Sequence, residues 1–156
     1  MKKTYFITGG SGFIGRAITQ KLSEQKNTYI KVFDNNYRGY EKLNIKNKKN
    51  IQLIKGDIRN FNEVKKYLNK NDTVIHLAYV NGTKFFYSKP HEVLEIAIKG
   101  LMNVIDACKK KNVKKLILAS SSEVYNEPKK LPTPETESLK IPDVYNPRFS
   151  YSGGKI

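Results

Sequence analysis

The chain has 156 residues, a formal net charge of +15 and a single cysteine, Cys108. That length can bury the core of one domain, one cysteine excludes an intrachain disulfide framework, and no apolar run approaches the length of a membrane span. Four of the 29 basic residues are Arg and the rest are Lys spread along the chain, whereas base and phosphate recognition favours Arg forks. A nucleic-acid partner is therefore not expected; the positive field is expected instead to steer an anionic substrate. Met1-Lys2-Lys3-Thr4 lacks the apolar core of a signal peptide, so a cytoplasmic chain with no membrane partner is expected.

Tyr5-Phe6-Ile7 reads as a first strand and runs into Thr8-Gly9-Gly10-Ser11-Gly12-Phe13-Ile14-Gly15. A helix pattern follows, with Ile14, Ala17, Ile18 and Leu22 expected on one face. Strand, glycine turn and helix together form the setting of a dinucleotide-binding loop. Glycines allow the tight turn, the close approach of a pyrophosphate and the packing of helix on strand. The helix N-terminus offers N–H groups and the positive end of its dipole. The glycines fit two registers, Gly9/Gly12/Gly15 and Gly10/Gly12/Gly15, and a bare tight turn is the alternative reading.

Tyr29 to Phe33 alternates into a second strand ending at Asp34, near the spacing at which an acidic residue meets the adenosine ribose. A carboxylate there favours NAD over NADP, although Arg38 keeps NADP open; Asp34 also suits an ordinary strand-end turn. The polar stretch 37–50 reads as loop with one short helix. Ile51 to Lys55 is a third strand followed by Gly56-Asp57-Ile58. Asn60 and Glu63 have the spacing of a capping box, and Phe61, Val64 and Leu68 fall on one helix face. Asp72 to Ala78 is a fourth strand, nearly continuous in apolar residues as a buried parallel strand is. His76 within it reads as structural.

Pro90 suits a first helical turn. Leu94, Ala97, Ile98, Leu101, Ile105 and Cys108 then recur at helical spacing, which makes Cys108 a buried thiol. Lys115 to Ala119 is a fifth strand leading into Ser120-Ser121-Ser122. Five of the six prolines lie in Asn126–Pro147, a long and therefore functional loop. Strands alternating with helices predict an α/β fold with a parallel sheet. Ligands of such sheets bind beyond the strands' carboxyl ends, which would bring the glycine turn, Leu77-Ala78 and the serines to one crevice. Tyr151 and Lys155, four apart, share a helix face. An ammonium beside a phenol favours the phenolate, the form that removes a hydroxyl proton.

These blocks resemble the extended short-chain dehydrogenases/reductases, the NAD-dependent nucleotide-sugar epimerase/dehydratase group. The resemblance covers essentially the whole chain. It implies a Rossmann-type sheet with helices on both faces, residues 1–156 being the NAD-binding domain. It also implies that the C-terminal substrate lobe is absent and that the chain, ending just past Lys155, is a fragment inactive alone. It implies that Gly9, Gly12, Phe13, Ile14 and Gly15 contact the pyrophosphate, Asp34 the ribose, Asp57 and Ile58 the adenine, and Leu77 and Ala78 the ribose–nicotinamide path. Ser121 matches the catalytic serine, Tyr151 the general base, and Lys155 the residue that binds the nicotinamide ribose and tunes Tyr151. Glu123 matches the base of the dehydratases, with a surface carboxylate as its other reading. No metal is implied.

The implied reaction removes a proton from a sugar hydroxyl, usually at C4, as its hydride passes to NAD⁺. The keto-sugar is then epimerised, dehydrated or decarboxylated. The full-length protein would be a homodimer. Two departures stand out: Asn126 follows Tyr125 where the family usually has Gly, and Ala97 stands where Asn often occurs. A non-catalytic NAD-binding domain and a carbonyl reductase of the same fold are the rival readings.

Overall fold

The five apolar segments form one parallel sheet in the computed structural model, which describes residues 2–37 and 48–156. The strands are β1 (Lys3–Thr8), β2 (Thr28–Asp34), β3 (Ile51–Lys55), β4 (Asp72–His76) and β5 (Lys115–Leu118). Their spatial order is β3-β2-β1-β4-β5, so the order reverses between β1 and β4. The register places Thr8 beside Phe33 and His76, and Asp34 beside Lys55. Helices α1 (Phe13–Ser23), α2 (Phe61–Tyr67), α3 (Thr83–Ser88), α4 (Pro90–Lys110) and α5 (Ser150–Gly153) complete the described elements. Arg38 and most of the polar stretch 37–50 lie outside the described residues; its last three, Lys48–Asn50, form a 3₁₀ turn.

Contacts divide the chain into two compact units. One comprises Met1–Ala78 with Lys99–Ala119, the other Tyr79–Ile98 with Ser120–Ile156. The first holds the sheet. Right-handed crossovers put the helices on opposite faces once the strand order reverses, and the packing agrees. Ile7, Ile30, Val32 and Ile75 meet Ile18 and Leu22 of α1. From the other face Phe33 meets Phe6 and, near α2, Tyr67, while the buried Lys31 ammonium pairs with Asp72 and donates to the Tyr67 carbonyl. β5 pairs with β4 alone, and its four residues are exposed.

The helices depart only in part from the expected faces, since Ile18, Leu22, Ala97 and Cys108 lie inward as expected. On α1 the buried residues are Gly15, Thr19 and Ser23, while Ile14 and Ala17 are exposed. Gly15 lies close to the backbone of Gly9 and Gly10, so the small residues share the sheet-facing side with Ile18 and Leu22. On α4 the buried set is Val93, Ile96, Ala97, Gly100, Val104, Ala107 and Cys108. Of the expected stripe Ala97 and Cys108 are buried, whereas Ile98 is 57% exposed; Gly100 lies against Ile58. Helix α3 had no counterpart in the sequence reading. Asn60 does cap α2, accepting from the N–H groups of Asn62 and Glu63.

Candidate cofactor and catalytic sites

Three glycines of the turn after β1 are needed for three different reasons. Gly9 has φ +69, and a Cβ there would run into the backbone of Ala78, 2.6 Å from its nitrogen. Gly15 has no room for a Cβ because the helix start lies on Gly9 and Gly10. At Gly12 the same test meets only the Gly9 carbonyl, at 3.3 Å; this glycine borders open space. Gly12 is also the N-cap of α1, and no side chain caps that helix. Phe13 and Ile14 are 86% and 60% exposed, so the start of the helix opens to solvent. In α2 the Asn60 side chain occupies the equivalent donors. An uncapped, glycine-bordered N-terminus fits a pyrophosphate.

Asp34 is tied to this turn. One carboxylate oxygen accepts from the Ser11 N–H at 2.9 Å and the other from the Asn36 N–H at 2.8 Å. The carboxylate therefore braces the loop and closes a turn of its own, while each oxygen keeps lone pairs for a diol. Ser11 and Asn36, with Val32, Leu53, Ile54 and Lys55, line a cavity of about 150 Å³. Asp57 accepts from Arg59 and Asn35. Burial alone would raise its pKa, but those hydrogen bonds and the Arg59 charge outweigh burial and hold it below the usual carboxylate value. Ile58 is buried against Gly100 and its carbonyl accepts from Asn103. Leu77 and Ala78 run beside Gly9, their N–H groups 3.3 Å from the Thr8 hydroxyl. That hydroxyl also pairs with buried His76 at 2.7 Å, which makes His76 a support of the turn. Burial and Asp72 push the Cys108 thiol up to about 11, which leaves it inert at neutral pH.

The second unit brings together the other predicted residues. Ser121 caps the 3₁₀ turn Ser122–Val124, its hydroxyl accepting from the Glu123 N–H at 3.2 Å. Glu123 is not a lone carboxylate: it accepts from Arg148 at 2.9 Å. Arg148 in turn lies over the Phe86 ring at 5.0 Å. Phe86 stacks on Tyr151 with centroids 5.0 Å apart, and Tyr79 meets Tyr151 edge-on at the same distance. The Lys155 ammonium lies 4.3 Å from the centre of the Tyr79 ring. A column of three aromatic rings, Phe86, Tyr151 and Tyr79, thus carries a cation at each end, Arg148 on Phe86 and Lys155 on Tyr79. Burial holds the Lys155 pKa below the usual lysine value. It also pushes the Tyr79 hydroxyl far above the usual phenol value, with Tyr151 adding to the effect. The Asn126 departure is absorbed: its φ is +50, a region Asn tolerates, and its amide donates to the Lys140 carbonyl. Ala97 is packed where a Cβ on Gly154 would have to go.

Tyr79, Phe86 and Arg148 were missed by sequence reasoning. Their only signal is an Arg three residues before Tyr151 and an aromatic-rich stretch after Ala78.

The sequence matches the model of the NAD dependent epimerase/dehydratase family over residues 5–156. The chain belongs to that family. A UDP-N-acetyl-alpha-D-glucosaminuronate decarboxylase of Bacillus cytotoxicus is 36% identical over 127 residues, 81% of this chain and 39% of the relative. A UDP-N-acetylglucosamine 4-epimerase from Methanobrevibacter ruminantium, solved with UDP-N-acetylmuramic acid, superposes with a TM-score of 0.84 at 30% identity, covering 99% of this chain and 48% of that one. A UDP-glucose 4-epimerase from Bifidobacterium longum, solved with NAD⁺ and UDP, gives 0.83 at 28% identity, covering 98% and 46%. The chain thus spans less than half the length of these epimerase/dehydratase family members. Among the described residues no helix is long and apolar enough to cross a membrane.

Proposed function

We propose that the complete protein is an NAD-dependent enzyme that oxidises a nucleotide sugar at C4 and returns it as the C4 epimer. The observation that carries this reading is the second unit's distribution of bases. Tyr151 and Lys155 are gathered around one aromatic ring, whereas Glu123 is paired with Arg148. The site therefore offers a phenol for a sugar hydroxyl and no unpaired carboxylate at position 123 for a carbon acid.

Gly9, Gly12, Phe13, Ile14 and Gly15 would hold the cofactor's pyrophosphate, and Asp34 its adenosine ribose. Asp57 and Ile58 would flank the adenine, Leu77 and Ala78 the path to the nicotinamide, and Lys155 would hold the nicotinamide ribose. Bound NAD would supply reversible oxidising power at C4. Tyr151 takes the proton of the C4 hydroxyl and later returns it. The Ser121 hydroxyl accepts from the Glu123 N–H and keeps its own proton to donate to the substrate oxygen. Dehydration would need a base at C5, and the Glu123 carboxylate is engaged by the Arg148 guanidinium instead. Decarboxylation of a C4-oxidised uronate needs no such base, and the decarboxylase relative supports keeping it as a second reading.

The test is to incubate the complete polypeptide with NAD and, separately, UDP-glucose, UDP-N-acetylglucosamine and their uronate forms. A C4 epimer is expected. A 4-keto-6-deoxy product would refute the reading, loss of CO₂ from a uronate would transfer it to decarboxylation, and NAD binding without any turnover would leave a binding domain. The family resemblance also leads us to propose a homodimer, measurable by light scattering.

A further inference from the structure

Neither the glycine turn nor the pairing of Tyr151 with Lys155 explains Tyr79. Four contacts converge on this one side chain. Its hydroxyl donates to the Tyr151 carbonyl at 3.2 Å. Its ring meets the Tyr151 ring at 5.0 Å and 81°. The Lys155 ammonium sits 4.3 Å from its centroid. Its hydroxyl also occupies the space a Cβ at residue 154 would need, so Gly154 is what allows the ring to lie across the end of α5. That helix has four residues, Ser150–Gly153, and no side-chain cap. Tyr151 lies on that helix and Lys155 two residues beyond its last residue, not on one shared helix face as their spacing predicts, so what relates the two side chains is their common contact with Tyr79.

We propose that Tyr79 is the positioning residue of the Tyr151–Lys155 pair: its ring seats the ammonium, and its hydroxyl and ring fix the tyrosine. The physical need is plain. Burial disfavours the Lys155 ammonium, and the face of an aromatic ring returns part of what is lost with water. The Tyr79 hydroxyl is held firmly in its protonated form, so it stays a donor to the Tyr151 carbonyl and does not compete as a base. The ring and the hydroxyl do separable work, which makes the role testable.

The inference rests on the assignment of Tyr151 and Lys155 given above, and the experiment separates the two. In the complete polypeptide, Tyr79→Leu keeps the site apolar but removes both ring and hydroxyl. Its kcat is expected to fall roughly tenfold or more, with the sugar KM within about twofold and NAD affinity weakened several-fold. Tyr79→Phe keeps the ring and is expected to recover most of the rate, within about threefold of wild type. Gly154→Ala, which pushes on the Tyr79 hydroxyl, should resemble Tyr79→Leu and serves if that variant does not fold. An NMR signature reports the contact itself: the Lys155 ε-methylene, assigned through Lys155→Arg, should be shifted upfield by the ring in wild type and Tyr79→Phe and not in Tyr79→Leu. Unchanged kcat and NAD affinity in Tyr79→Leu, or an unchanged Lys155 signal, would overturn the inference. If the wild type turns over no sugar, the catalytic assignment fails, while NAD affinity and the Lys155 signal still decide the role of Tyr79.

Discussion

Between Thr8 and Gly15 the geometry is imposed by side chains that are absent; around Tyr151 it is imposed by side chains that are stacked. In the first region a Cβ at Gly9 or Gly15 would strike backbone, and backbone cannot step aside. In the second, the Tyr151 ring is held between rings from positions 79 and 86, and the Arg148 guanidinium lies over the ring at 86. A backbone requirement is rigid and intolerant. A stacked arrangement is graded, so substitutions there should separate chemistry from folding.

The most severe test of this contrast is Tyr151→Phe. The ring stays in its stack, so folding and NAD affinity should be close to wild type while kcat falls about a thousandfold or more; near-normal turnover would remove Tyr151 as the base. Next is Gly9→Val, which combines a positive φ with a clash against the Ala78 backbone. A loss of about 2–4 kcal/mol of stability together with NAD binding is expected in denaturant titration and cofactor fluorescence. A stable variant that still binds NAD would show that the turn is not sterically locked.

Glu123→Gln should be milder. If Glu123 serves only as the partner of Arg148, kcat should stay within about tenfold of wild type, whereas a carbon-acid base would lose about a thousandfold. The smallest effect concerns stability. Burial holds the Lys155 pKa below its unfolded value, so between the two values the unfolded chain carries more protons and stability rises with pH. Below the folded pKa the cost of the buried charge is present in full. Lys155→Met should therefore raise the melting temperature at neutral pH by roughly a degree or two, lose the relative rise toward the lysine range, and weaken NAD binding. A lower melting temperature would mean that the ring contact outweighs burial.

The same contrast explains what could be read from the sequence. Glycine requirements leave a spaced pattern, and buried parallel strands leave continuous apolar runs, so the turn and the five strands were legible to within a residue or two. Asn60 and Glu63 announced the start of α2 for the same local reason. The faces of α1 and α4 were legible in part: Ile18, Leu22, Ala97 and Cys108 lie inward, whereas close approach at Gly15 and Gly100 turns small residues inward too and Ile14 and Ile98 stay outside. The rest of the aromatic column around Tyr151 and Lys155 was invisible because Tyr79 lies 76 residues before Lys155, and Tyr79, Phe86 and Arg148 each look like ordinary surface or core alone. Glu123 could be placed by resemblance, but its partner Arg148 lies 25 residues away, and the partner is what bears on its role.

Isotope labelling bears most directly on reversible oxidation at C4 by NAD, with Tyr151 as the base for the hydroxyl proton and no base at C5. UDP-glucose carrying deuterium at C4 is incubated with the complete polypeptide and NAD in water, and UDP-glucose with hydrogen at both positions is incubated in heavy water. The UDP-galactose formed is expected to retain deuterium at C4 in the first case and to take up none at C5 in the second. Deuterium incorporated at C5, or a C4 label lost to solvent, would contradict it.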